Sequence, residues 1–256
     1  MNDVTLLDHD DPDPVVVHNE HADSPLFLTC DHAGKRIPRK LGDLGLPASE
    51  LERHIAWDIG ALATSKLLAR RLDAPLIEQV YSRLVVDCNR PTRSPTFIAP
   101  LSESTPIPGN LDLDADRIAA RESEIHRPYH AQITALLDAR KAAGTPTLLI
   151  AMHSFTPEYK GEARPWHIGL LYNRDRRVAD VLHDLLAGTG LVVGDNEPYA
   201  ITDDSDYGIP VHGEGRGLPH IEIEIRQDLI SHEAGQREWA ERLDPLFREA
   251  AARVLA

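Results

Sequence analysis

Short apolar runs alternate with longer amphipathic stretches from Pro25 to the end of the chain. PLFLTC (25–30) has the form of a buried strand. Residues 49–72 predict a helix, because Leu51, Ile55, Ile59 and Leu62 recur at helical spacing and Ser49 with Glu52 forms a capping-box pattern. APLIEQV (74–80) and RLVVDC (83–88) predict two further strands. Residues 90–110 hold five prolines and read as a long loop, a length that is often functional. A second helix is expected over 114–143, broken or kinked at Pro128. TPTLLIAM (145–152), HIGLLY (167–172) and LVVGD (191–195) read as strands, with a helix at 175–188 stopped by Gly188. A Gly-rich loop (203–219) leads into HIEIEIR (220–226), which alternates like a strand, and an amphipathic helix closes the chain over 234–255. Strands alternating with helices predict an α/β fold with a largely parallel sheet covered on both faces. In such sheets chemistry gathers at the carboxyl edge of the strands.

Composition narrows the function. The 256 residues carry a formal charge of −14, which disfavours nucleic acid and anionic membranes as partners. Half of that charge lies in residues 1–24, which hold seven acidic side chains and no Lys or Arg, so this stretch reads as a flexible solvated arm ahead of one domain at 25–256. No apolar run is long enough to span a membrane, and the start lacks the basic and apolar regions of a signal peptide. Two cysteines suit a reducing cytoplasm and are too few for a thiolate zinc site. Phosphate-binding glycine loops are absent.

Four predicted strands end in polar residues: Asp31 and His32, then Asp87, Asn89 and Arg90, then His153 and Ser154, then Glu222, Glu224 and Arg226. One such ending is unremarkable, but four at corresponding positions suggest one shared site. Two histidines and a carboxylate make a hydrolytic zinc site, a further carboxylate serves as general base, and an Asn–Arg pair forks onto a substrate carboxylate.

The motifs TCDHAGKRIP, HIAWDIGA, VVDCNRP, HRPYH, AMHSFTP and IEIEIRQDLI occur in order and resemble the N-formylglutamate amidohydrolase family, from about residue 24 to the closing helix. That family is similar in fold to the zinc carboxypeptidases and the aspartoacylase-type deacylases. The resemblance implies a three-layer sandwich with zinc at the carboxyl edge of a mixed, mostly parallel sheet. It implies His32 and His153 as metal ligands, Asp87 as the group that orients His32, and Asn89 and Arg90 as holders of a substrate carboxylate. The motif Glu-(Ile/Leu)-Arg implies Glu224 as general base, with Arg226 at the substrate.

One position departs from the zinc-carboxypeptidase pattern. Lys35 stands where the His-x-x-Glu motif has a ligating Glu, so a third ligand must come from elsewhere. Asp58 is expected there, because on a helix it shares a face with Ile55, Ile59 and Leu62; Asp31 is its competitor. Glu222 and Glu224 share a strand face, which leaves the choice of base between them open to test. His126 and His130 are four apart but separated by Pro128, which argues against a metal pair, and Tyr207 and His212 lie in a glycine-rich loop able to cover a substrate. Cys88 and Ser154 lack the neighbours of a nucleophile. The expectation is hydrolysis of a small N-acyl amino acid, N-formylglutamate first, with one zinc-class ion. The alternatives are a deacylase or peptidase for another small acidic substrate, and a metal-free carboxylate-binding protein on the same fold.

Overall fold

Seven segments pair into one mixed sheet in the computed structural model, which describes residues 5–256. They are β1 (Val15–His18), β2 (Leu26–Cys30), β3 (Leu76–Gln79), β4 (Leu148–Phe155), β5 (Ile168–Leu171), β6 (Val193–Asp195) and β7 (His220–Arg226). Their order across the sheet is β1-β3-β2-β4-β7-β5-β6. The β1–β3 and β7–β5 pairings are antiparallel and the other four parallel. The main helices are α1 (Ala61–Leu72), α2 (Ala115–Arg121), α3 (Arg127–Ala142), α4 (Arg177–Leu186) and α5 (Glu233–Val254).

The period-2 alternation of each strand builds two cores. Leu26 and Leu28 of β2, Leu148, Ile150 and Met152 of β4, and Ile221, Ile223 and Ile225 of β7 pack against α1, α4 and α5. Phe27, Ile77, Leu149, Ala151 and Leu171 point the other way, against Tyr129, Ile133 and Leu137 of α3 and the loop residues Val85, Val86 and Ile107. The result is the expected three-layer sandwich. Each of these buried aliphatic side chains contributes about 1.5–3 kcal/mol by leaving water. The same alternation puts His153, Glu222 and Glu224 on the face of the second core, so the polar cluster sits above α3 and its loops.

Several local expectations are corrected by the structure. The helix expected over 49–72 is a single turn at Ala48–Leu51, a run of turns, and then α1. Gly60 stops it from being continuous: its φ is +81°, and a Cβ there would lie 2.1 Å from the Ile230 carbonyl oxygen. Asp58 therefore sits in an irregular stretch, not on a helix face, and its N–H donates to the His32 carbonyl at 2.9 Å. The Ser49–Glu52 capping box does not form; the cap is Pro47, and Glu52 pairs with Lys35. Gly60→Ala combines left-handed strain with a backbone clash, so it should cost at least the roughly 1–3 kcal/mol of an overpacked site and lower Tm by several degrees in thermal unfolding.

RLVVDC is not a strand: residues 83–88 form turns, although Leu84, Val85 and Val86 are as buried as strand residues. Buried β-branched residues in an irregular segment give the same local pattern as a strand, and the backbone instead bonds to neighbouring loops, with Asp87 N–H donating to the Phe97 carbonyl. Near Pro128 the second helix is interrupted in regularity but does not end. One π-turn (Glu122–His126) joins α2 to α3, and Pro128 falls in the first turn of α3, where its missing N–H costs nothing.

The acidic arm is not wholly solvated. Val15–His18 form the edge strand β1 against β3, and Leu6 is buried. Asp8 and Asp10 pair with Lys40 and Arg39, and the Leu6 and Leu7 N–H groups donate to Glu124. Net charge alone misreads this stretch, because its acids face a local basic pair and its VVV run supplies a strand. Asp3 lies outside the described residues.

Candidate active site

The carboxyl ends of β2, β4 and β7 open into a cavity of about 350 Å³. His32, Asp58, Asn89, Arg90, His153 and Glu224 all line it, as expected from the sequence, together with Glu222. Asp87 stands behind His32. Arg226 does not reach the cavity, although it shares a strand face with the two glutamates. Its guanidinium donates to Asp228 at 2.8 Å and toward the Pro165 and Trp166 carbonyls.

Each buried histidine is held from behind by a carboxylate. His32 Nε2 lies 2.7 Å from Asp87 Oδ1, and His153 Nδ1 lies 2.9 Å from Asp58 Oδ2. Ionised carboxylates only accept, so these ring nitrogens carry the protons. In the neutral rings the inward nitrogens, His32 Nδ1 and His153 Nε2, are then lone pairs. Both are buried without a hydrogen-bond partner, as is Asp31 Oδ1. His153 Nε2 is 3.1 Å from Asp31 Oδ1, His32 Nδ1 is 3.9 Å from it, and the three ligand atoms lie within 4.8 Å of one another. Three buried, mutually facing acceptors are unfavourable unless protons or a cation sit among them. The donor set, two imidazoles and one carboxylate, suits a zinc-class ion.

In this candidate triad the third position falls to Asp31, the competitor of Asp58 in the sequence reading. Asp58 supports His153 from the other ring nitrogen and lies 3.5 Å from His32 Nδ1. Its Oδ2 bonds His153 and accepts from the Ser154 N–H at 3.2 Å, and its Oδ1 faces Arg83 at 3.6 Å. Arg83 also donates to Asp87 at 2.7 Å, so one guanidinium ties together the two carboxylates that orient the two histidines. Burial works against the charged form of Asp87, but Arg83 and His32 hold it well below the usual carboxylate range. Burial and Arg83 oppose protonation of His32, yet Asp87, Asp58 and Asp31 outweigh them and raise it to about 9. The pocket favours positive charge at its centre.

Asp31, Asp58, Asp87, Glu222 and Glu224 are all buried. Glu222 Oε2 lies 3.8 Å from His153 Nε2 and accepts from Asn89 Nδ2 at 3.4 Å. Glu224 stands beside His153 in the β7–β4 register, and its Oε2 has no partner. Burial, with Asp206 and Asp31 adding to it and His153 opposing, pushes Glu222 up to about 7. Burial pushes Glu224 well above the carboxylate range, with Asp58 and Glu222 adding and His153 opposing.

Asn89 is fixed by its own loop and by the glycine-rich loop. Its N–H donates to Asp87 Oδ1, and its Oδ1 accepts from the Tyr207 and Gly208 N–H groups at 3.1 and 2.9 Å. Its Nδ2 is thereby turned into the cavity. Arg90 Nη1 donates to the Asn89 carbonyl and lies 3.5 Å from Asp206.

Known proteins share this fold. The family model described as N-formylglutamate amidohydrolase matches residues 24–231. The chain belongs to that family. Gene product Atu2144 from Agrobacterium tumefaciens has 39% sequence identity and a TM-score of 0.95, covering 97% of this chain and 99% of its own. The N-formylglutamate amidohydrolase from Ralstonia eutropha JMP134 shares the fold at 18% identity and a TM-score of 0.70, over 95% of this chain and 98% of its own. No curated protein gives a significant match. Membership of the N-formylglutamate amidohydrolase family points to hydrolysis of an amide. Among the described residues no helix is long and apolar enough to cross a membrane.

His126, His130 and His212 lie beside the cavity and are not ligands of the triad. His130 Nε2 lies 2.8 Å from the Cys88 carbonyl and so must carry a proton, and its Nδ1 accepts from His212 Nε2 at 2.9 Å. The ring of Tyr207 packs on His130 at 4.3 Å. Spacing alone did not reveal this role: the π-turn brings His126 within 4.4 Å of His130, and the glycine-rich loop supplies His212. Burial, with Arg216 and His126 adding to it, lowers His212 from 6.5 to about 4. Burial likewise holds His130 well below its usual value. Both are neutral in the folded protein, whereas in the unfolded chain they protonate near 6.5. As the pH falls from about 6.5 toward 4 the unfolded state takes up protons that the folded state refuses, so stability is lost across that window. The expected loss from His212 is on the order of 3 kcal/mol at most. His212→Phe should flatten the pH dependence of urea unfolding between about pH 4 and 6.5.

Proposed function

We propose that the protein is a metal-dependent amidohydrolase that cleaves N-formylglutamate to formate and glutamate. The observation that carries this reading is the convergence of His32 Nδ1, His153 Nε2 and Asp31 Oδ1, all buried and all without partners, in a cavity lined by two glutamates and an Asn–Arg pair. Asp31, His32 and His153 would hold one zinc-class ion. Such an ion supplies a Lewis acid that polarises an amide carbonyl and acidifies water.

The chain's own residues supply the rest. Asp87 and Asp58 fix the two imidazoles in the tautomers that present lone pairs inward, a support that raises ligand basicity and orientation. Asn89 and Arg90 present N–H donors to a substrate carboxylate. Glu224 is the group left free to accept a proton from the attacking water and return it to the leaving amine, because Glu222 is already bonded by Asn89. Positive charge at the triad lowers both glutamates toward the range in which they accept protons.

A screen of N-formyl, N-acetyl and longer N-acyl amino acids, with and without added zinc, tests the assignment. Formate release from N-formylglutamate at a higher kcat/KM than for any other member supports it. A clear preference for an N-acetyl or peptide substrate would move the protein to the deacylase or peptidase reading. Binding of glutamate without turnover of any member would favour the carboxylate-binding alternative.

A further inference from the structure

Three arginines line the cavity, and their pairing differs. Arg83 is committed to Asp87 and Asp58. Arg90 is held by the Asn89 carbonyl and faces Asp206. Among the described residues Arg164 pairs with no carboxylate. Its guanidinium is half-buried and lies over two tyrosine rings, 4.7 Å from the centre of Tyr159 and 5.2 Å from that of Tyr199. Both rings line the same cavity. A guanidinium placed over aromatic rings keeps its N–H donors free for a ligand, and part of its side-chain freedom is already lost. In a chain of net charge −14, this cation in the cavity wall has no acidic partner among the described residues.

The two arginines not committed to the histidine-orienting carboxylates come from different segments. Arg90 adjoins Asn89, whose Nδ2 bonds Glu222, which in turn lies 3.8 Å from His153 Nε2. Arg164 follows the two-stranded hairpin of Glu158–Tyr159 and Glu162–Ala163, beyond the end of β4, and among the described residues no hydrogen bond or ion pair links it to the triad. In an N-acyl amino acid the α-carboxylate is one carbon from the scissile nitrogen, and the side chain extends away from it. The arginine tied to the reacting centre therefore meets the α-carboxylate, and the outer arginine meets the end of the side chain.

We infer that Arg164, held over Tyr159 and Tyr199, is a specificity-determining residue that reads the distal carboxylate of an acidic amino-acid substrate, while Arg90 reads the α-carboxylate. The inference rests on the proposed reading of the cavity as an amino-acid site and adds which residue makes it selective for a dicarboxylate.

Calorimetric binding of L-glutamate and of its isosteric amide L-glutamine, to the zinc-loaded full chain, tests this without relying on turnover. Wild type should prefer glutamate by roughly 10–100-fold, the range of a partly desolvated charged contact. Arg164→Met should bring that preference to within about threefold by weakening glutamate alone, and Arg164→Lys should fall between. Arg90→Met should weaken both ligands alike, because both keep the α-carboxylate. A glutamate preference that survives in Arg164→Met overturns the inference, as does equal weakening of both ligands or the absence of a preference in wild type. Circular dichroism of each variant verifies that it is folded. Failure of formyl hydrolysis in wild type that still binds glutamate selectively would instead sink the proposed reaction and leave the role of Arg164 standing.

Discussion

His153→Ala should purify without its metal and without measurable turnover, while its far-UV spectrum stays that of the wild type. His153 supplies one of the three inward lone pairs, and Asp58, bonded behind it, keeps the Ser154 N–H and Arg83 as partners when the imidazole is gone. Losing a group bonded behind a ligand costs roughly 10–100-fold in metal affinity, so losing the ligand itself should cost more. Elemental analysis of untagged protein is the measurement. Unchanged metal content would remove His153 from the site.

Glu224→Gln should lower kcat by about 10²–10⁴-fold, the usual worth of a general base, with metal content and KM nearly unchanged because Gln keeps the shape. Glu222→Gln is the internal control on the same strand face. It should act more mildly on kcat and more on KM, since Glu222 bonds Asn89, whose neighbour Arg90 meets the substrate. A dead Glu222 variant beside a near-normal Glu224 variant would exchange the two roles. Normal turnover in both would place water activation elsewhere, with Asp31 or His130 next to test.

Much of this arrangement is legible in the sequence. The apolar runs of β2, β4, β5 and β7 and the alternation of HIEIEIR are local signals, and they find the strands that carry His32, His153 and both glutamates. Ordered motifs bring the same residues to one site. Three features are not legible, each for a physical reason. The third position goes to Asp31, the competitor of Asp58, because the stretch before Gly60 is not helical and Asp58 bonds His153 Nδ1 instead of sharing a helix face. Arg226 shares the face of Glu222 and Glu224 but lies at the strand's end, where Asp228 two residues on captures it. Arg83 and Arg164 carry no motif. Arg83 sits four residues before Asp87, a spacing that gains meaning only once the chain there is known to turn. Arg164 enters the cavity wall through a hairpin after β4 that no periodicity announces.

A metal titration of chelator-treated protein tests most directly whether the triad holds a catalytically required divalent ion, on which the proposed reaction depends. Turnover of N-formylglutamate should vanish in the stripped protein and return in proportion to added zinc, reaching a plateau at one equivalent per chain, with Asp31→Asn failing to recover. Full turnover by stripped protein that elemental analysis finds free of metal would contradict it.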